Sequence, residues 1–154
     1  MKCKIISISH KPADWEKKAL DFYLKQIPDN IKLSFTEVKP SASNAMSREE
    51  TVREESSEIF KQIDETSFVI LWDRQGDLIS SQSLAKFLQE KIDLSQNINM
   101  IIGGAYGASS DLSNKADLVL SASQLTFPHK LFKILLIEQI FRASAINRNH
   151  PYHK

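Results

Sequence analysis

Ser67-Phe68-Val69-Ile70-Leu71-Trp72 contains a single polar residue, at its first position. A run this short and this apolar has no face suited to water, so it predicts a strand covered on both sides. The residues that leave it, Asp73-Arg74-Gln75-Gly76, have turn composition and predict a turn there. A strand buried on both faces belongs to a sheet held between two layers of helix, and the sequence around it is expected to alternate strand with helix.

Downstream that alternation is present. Leu84, Phe87, Leu88 and Ile92 recur at helical spacing, and Ile98 to Ile102 reads as a second buried strand leading into a glycine loop. A short helical stretch around Leu112 to Ala116, a strand Leu118 to Ala122 and a long helix from about Pro128 to Arg148 follow, with Asn149 to Lys154 left as a tail. Upstream, Ser47-Arg48-Glu49-Glu50 fits a capping box that opens a charged helix carrying Val52, Ile59, Phe60 and Ile63 on one face. Ser41 to Met46 has loop composition, and Ile31, Leu33 and Phe35 alternate as a half-buried strand before it. Lys2 to Ser9 reads as a strand, and Trp15, Ala19, Phe22 and Tyr23 as the apolar positions of a helix that ends by Pro28. The expectation is one α/β domain over residues 1–154, with a mostly parallel sheet and helices on both faces.

Composition narrows the function classes. With 154 residues and 42% apolar content the chain is long enough for one real core. Its apolar runs fall far short of the roughly 20 residues that span a bilayer, so no membrane segment is expected. The amino terminus lacks the small-residue cleavage site of a secretory leader, which predicts a cytoplasmic protein. Cys3 is the only cysteine, so no intrachain disulfide is available. His150-Pro151-Tyr152-His153 offers two metal ligands without a third, and no metal is expected.

Charge is unevenly distributed. Residues 1–128 hold 15 Lys and Arg against 18 Asp and Glu, whereas from residue 129 onward Lys130, Lys133, Arg142, Arg148 and Lys154 face the single acid Glu138. Two readings stand, a local anion-binding surface or a solvated helix end. Three of the four histidines, His129, His150 and His153, fall in the same region. The last long helix carries Leu131, Phe132, Ile134, Leu135, Leu136, Ile137, Ile140 and Phe141, more apolar surface than one sheet face covers. Either a second copy of the chain or deep burial within one subunit would take up the surplus.

Three of the four glycines, Gly103, Gly104 and Gly107, lie within five residues directly after a buried strand. The spacing matches neither the dinucleotide fingerprint nor a P-loop. It fits a cofactor loop at the carboxyl end of a strand, where backbone amides are approached closely, and it fits equally a tight turn that requires positive φ and binds nothing.

Three segments in this order resemble the RlmH-type ribosomal RNA methyltransferases of the SPOUT superfamily, over Lys2 to Lys154. They are the loop Ile101-Ile102-Gly103-Gly104-Ala105-Tyr106-Gly107, the stretch Ser121-Ala122-Ser123-Gln124-Leu125-Thr126-Phe127-Pro128-His129, and the tail Asn149-His150-Pro151-Tyr152-His153-Lys154. Asp77 after Gly76, where lysine is frequent, and Ala105-Tyr106 inside the loop depart from the commonest family pattern.

The resemblance implies a carboxyl-terminal trefoil knot and a cofactor, S-adenosylmethionine, bound by Leu71, Trp72, Gly103, Gly104, Gly107, Ser123, Gln124, Leu125, Thr126 and Phe127. It implies a homodimer in which one subunit's tail completes the other's site. It also implies a substrate on the assembled ribosome, a pseudouridine of large-subunit ribosomal RNA methylated at N3. His129, Arg142, Tyr152 and His153 are the candidates for handling the target base, the cations easing its developing negative charge and a histidine accepting its proton. A related knotted enzyme acting on transfer RNA and a non-enzymatic nucleotide-sensing module are the alternatives that this sequence leaves open.

Overall fold

Five strands, β1 (Lys2–Ile8), β2 (Lys32–Val38), β3 (Phe68–Leu78), β4 (Ile98–Ile102) and β5 (Leu118–Ser121), alternate with five helices. The helices are α1 (Asp14–Leu24), α2 (Arg48–Phe60), α3 (Ser81–Asp93), α4 (Ser110–Lys115) and α5 (His129–Asn147). A 3-10 turn, Pro151–His153, follows α5. The computed structural model describes residues 1–41 and 46–153, the side chain of His153 excepted, so most of the expected Ser41 to Met46 loop and Lys154 lie outside the described residues.

The strands form one sheet in the order β2-β1-β4-β3-β5, and every pairing is parallel. Side chains alternate across it as a pleated strand requires. Ile5, Ile70, Trp72, Ile98, Met100 and Ile102 pack with Leu20, Leu84, Leu88, Ile137 and Ile140 from α1, α3 and α5. Ile6, Leu71 and Ile101 pack on the other face with Ile59 of α2 and Leu112 of α4. Helices therefore cover both faces, as the all-apolar strands predicted, and each fully buried aliphatic side chain contributes about 1.5–3 kcal/mol.

Crossings toward β2 place their helices, α1 and α3, on one face, whereas crossings toward β5 place α2 and α4 on the other. A single crossover hand requires that arrangement. The capping box at α2 is formed, with the Ser47 hydroxyl accepting from the Glu50 amide at 3.1 Å and the Glu50 carboxylate accepting from the Ser47 amide at 2.7 Å.

Asp73 to Gly76 departs from the expectation. The strand does not end in a turn there but continues to Leu78, and β5 meets it twice, since Leu120 pairs with both Trp72 and Asp77. The four residues between form a bulge. Gly76 permits the return, because a Cβ at that position would lie 2.6–2.7 Å from the backbone of Val119 and Leu120.

The surplus apolar surface of α5 is largely absorbed within the chain. Ile134, Leu136, Ile137, Ile140, Phe141, Ala143 and Ala145 are all buried, against α1, α3 and the 3-10 turn. On α1, by contrast, Trp15 and Phe22 are 55% and 62% exposed rather than part of the core.

The basic carboxyl-terminal surface is also smaller than the charge count suggested. Lys133 is only 2% exposed and sits 3.1 Å from Glu16 and 3.0 Å from Glu37. Arg142 is held by Glu138, and Lys130 lies 3.5 Å from Glu16.

Candidate functional site

Strands β4, β3 and β5 lie side by side, and a cavity of about 490 Å³ is lined by the residues that leave their carboxyl ends. This is where open parallel sheets present ligands, and the size falls within the ~300–1,000 Å³ usual for small-molecule sites. Its walls are Trp72 to Gln75 from the bulge of β3, Gly103 to Ala108 after β4, and Leu120 to Ser123 with Leu125 to Phe127 at the end of β5. His129 and Phe132 of α5 and Arg48 of α2 complete the lining.

The glycine loop turns tightly and also lines the cavity. Gly107 donates its amide to the Gly104 carbonyl at 3.0 Å and adopts φ +86°, a conformation that suits glycine. At Gly104 a Cβ would meet Oε2 of Glu55 on α2, so the carboxylate would have to move aside.

Opposite the loop, Trp72 is 6% exposed and its ring meets Phe132 edge-on at 5.8 Å. Its Nε1 is buried and has no hydrogen-bond partner among the described residues. Buried donors are nearly always paired, so an unpaired indole N–H on a cavity wall fits a ligand that brings an acceptor. The segment after β5 is braced by its own serines: the Ser121 hydroxyl donates to the Ser123 carbonyl at 2.9 Å, and the Ser123 hydroxyl accepts from the Leu125 amide at 2.9 Å.

Of the residues expected to hold a cofactor, Trp72, Gly103, Gly104, Gly107, Ser123, Leu125, Thr126 and Phe127 line this cavity together with His129. Leu71 lies one residue back in β3, fully buried on the opposite sheet face, and neither it nor Gln124 is among the lining residues. Burial holds the His129 imidazole below its ordinary value of 6.5, which keeps it neutral and able to accept a proton near pH 7.

Arg142 and Tyr152 form a second cluster, at the far end of α5. Arg142 Nε donates to Glu138 Oε1 at 2.9 Å, Tyr152 donates its hydroxyl to the same oxygen at 3.1 Å, and the guanidinium lies 4.9 Å from the Tyr152 ring centroid. The Tyr152 ring also packs on Phe141, 4.4 Å between centroids. Asn149, at φ +53°, ends α5 and turns the chain back. Desolvation, then the Glu138 carboxylate, pushes the Tyr152 phenol up to about 12, so it stays protonated as a donor. Thirteen residues separate His129 from Arg142 on α5, about 20 Å at the ~1.5 Å rise of an α-helix. The side chain of His153 lies outside the described residues.

Sequence reasoning missed Arg48, Asp73, Arg74 and Gln75, which also line the cavity, and Glu55 behind it. Asp73 to Gln75 carried a signal, the turn-like composition straight after a buried strand, which marked a strand's carboxyl end. Among the described residues, no three His, Cys, Asp or Glu side chains are grouped to hold a metal ion, and no helix is long and apolar enough to cross a membrane.

A family model described as "Predicted SPOUT methyltransferase" matches residues 1–153. Among curated proteins the chain is similar to "Ribosomal RNA large subunit methyltransferase H" from three organisms. It is 38% identical over 152 residues to that of Caldicellulosiruptor bescii, covering 98% of this chain and 99% of the relative. It is 35% identical to that of Clostridium novyi, covering the whole of both chains. For Dechloromonas aromatica the identity is 34%, covering all of this chain and 99% of the relative.

Proposed function

This chain belongs to the SPOUT methyltransferase family, and on that premise we propose that it transfers a methyl group from S-adenosylmethionine to N3 of a pseudouridine in large-subunit ribosomal RNA. One observation carries the reading. The family-like segments at 101–107 and 121–129 converge, with Trp72, on a single cavity at the carboxyl ends of three adjacent strands.

The residues present fit such a cofactor. Backbone groups of the glycine loop and of residues 123–127 offer donors and acceptors for adenine and ribose, and the unpaired indole N–H of Trp72 awaits an acceptor. When bound, S-adenosylmethionine supplies an electrophilic methyl for an in-line displacement. The chain's part is then to align the base with that methyl and to remove the imide proton at N3. His129, neutral and on the cavity wall, is placed to accept that proton. Arg142, a permanent cation anchored by Glu138, stabilises the negative charge that develops on the base. Tyr152, protonated, contributes a hydrogen-bond donor rather than a base.

The 20 Å between the two clusters supports a homodimer in which each chain's carboxyl-terminal cluster serves the other's cavity, with His153 acting from the tail. Exposed Phe22 on α1 and Leu131 on α5 supply apolar surface for that association. The trefoil knot of the family would thread the same three segments that wall the cavity, and the cytoplasm, where ribosomes are found, is the expected compartment.

Mass-spectrometric mapping of ribosomal RNA from a strain lacking this protein should show loss of one methyl group on a large-subunit pseudouridine. Unchanged modification would refute the assignment. Mixing a subunit truncated after Arg148 with an Arg142→Ala, Tyr152→Phe subunit of full length tests the shared site. In those heterodimers both cavities are intact but neither carboxyl-terminal cluster is complete, so they should stay inactive as the control, whereas truncated subunits mixed with a His129→Ala subunit should regain partial activity. No rescue there would mean that each site is built within one chain.

A further inference from the structure

Glu55 is a carboxylate where packing alone would favour an apolar side chain. It lies on the face of α2 that carries the core residue Ile59, and it is only 6% exposed. One carboxylate oxygen accepts from the Ser41 amide at 3.3 Å, and the other, Oε2, is buried without a hydrogen-bond partner among the described residues. A buried acceptor left unpaired is disfavoured, so an ordinary structural role does not account for it.

That unpaired oxygen points at the cofactor loop, because a Cβ built on Gly104 would run into it. The next residue along α2, Ser56, accepts from the Ser109 amide at 3.3 Å just beyond the same loop. Helix α2 thus touches the loop at Gly104 and at its exit. The loop lines the cavity, as does Arg48 at the first turn of this helix.

We infer that Glu55 is a positioning residue for the cofactor loop: its side chain is the backstop that fixes how deeply the Gly104 backbone sits. The link through Ser41 extends the same support to the chain that leaves β2. The inference rests on reading the cavity as the S-adenosylmethionine site.

A mutant cycle tests it by calorimetric titration with S-adenosylmethionine, alongside melting temperatures and methylation kinetics. Glu55→Ala should weaken cofactor binding by about tenfold while turnover at saturating cofactor changes less than about twofold, the pattern of a mispositioned loop rather than a lost chemical group. Glu55→Gln keeps the shape and should restore near-normal affinity. Gly104→Ala, whose methyl would push the Glu55 carboxylate aside, should weaken affinity about as much as Glu55→Ala, and combining the two should cost little more than either alone.

Wild-type affinity in Glu55→Ala overturns the inference, as does a double variant whose losses simply add. If Gly104→Ala does not fold, the comparison of Glu55→Ala with Glu55→Gln decides. If the wild-type protein binds no S-adenosylmethionine, the proposed function fails, and the melting temperatures of the four proteins still show whether the losses at Glu55 and Gly104 add.

Discussion

Replacing Lys133 by methionine removes an ammonium from the most enclosed charge cluster among the described residues. Its Nζ is 3.1 Å from Oε1 of Glu16 and 3.0 Å from Oε1 of Glu37. Glu37 keeps some access to water, but Glu16 has none, being 0% exposed. Without Lys133, the Glu16 carboxylate retains only the Ala13 amide at 3.3 Å and Lys130 at 3.5 Å, both on Oε2. Breaking a buried pair by removing one partner costs about 3–5 kcal/mol, because the survivor stays buried and uncompensated. Against a total stability of about 5–15 kcal/mol that is a large fraction. At ~2–4 °C per kcal/mol for a chain of this size, the melting temperature should fall by about 6–20 °C. Urea denaturation followed by circular dichroism measures the change, the midpoint moving with the slope unchanged. The double variant Glu16→Leu, Lys133→Met should recover to within about 1 kcal/mol of the wild type, since an apolar pair replaces a costly ionic one. A loss below about 1 kcal/mol in Lys133→Met would refute the argument that this lysine compensates Glu16.

Gly76→Ala should destabilise the protein by about 1–3 kcal/mol and weaken cofactor binding, since a Cβ there meets the backbone of β5 and not a side chain able to swing aside; thermal melts and calorimetry read both. The unfolded chain protonates His129 at a higher pH than the folded protein does, so stability falls as pH drops through about 6.5. His129→Gln should remove that part of the acid sensitivity, seen as a smaller loss in melting temperature between pH 7.5 and 5.5. Cys3 is fully buried and its thiol pushed up to about 12, so Ellman's reagent should leave the native protein untouched and titrate one thiol in denaturant.

How much of this was legible in the sequence depended on whether the governing contact was local. Ile98 to Ile102 was read with its observed limits because a strand covered on both faces needs apolar residues throughout, and that requirement lies within the strand itself. The Ser47 capping box was legible for the same reason. The bulge at Asp73 to Gly76 was not, because turn residues and bulge residues look alike until a second strand is seen to pair on both sides of them. Trp15 and Phe22 satisfy helical spacing yet face outward, as periodicity gives a face without saying what covers it.

In the candidate site, the glycine loop and the 123–127 segment were legible through their clustering after buried strands and their resemblance to a family. Glu55 and Glu16 were hidden for a common reason. A glutamate in a charged helix reads as solvated, and only tertiary packing shows that one is pressed against Gly104 and the other closed over by Lys133. The 20 Å between His129 and Arg142 follows from helix rise alone and was available from the sequence once both residues were assigned to one helix.

The chain has two tryptophans, and they occupy opposite surroundings. Trp72 is sealed in the cavity wall beside Phe132, whereas Trp15 stands in solvent on α1. Indole emission should therefore resolve into a blue component and a red one. Acrylamide quenches the red component, ligand entry perturbs the blue one, and a spectrometer can follow the two events separately without a label.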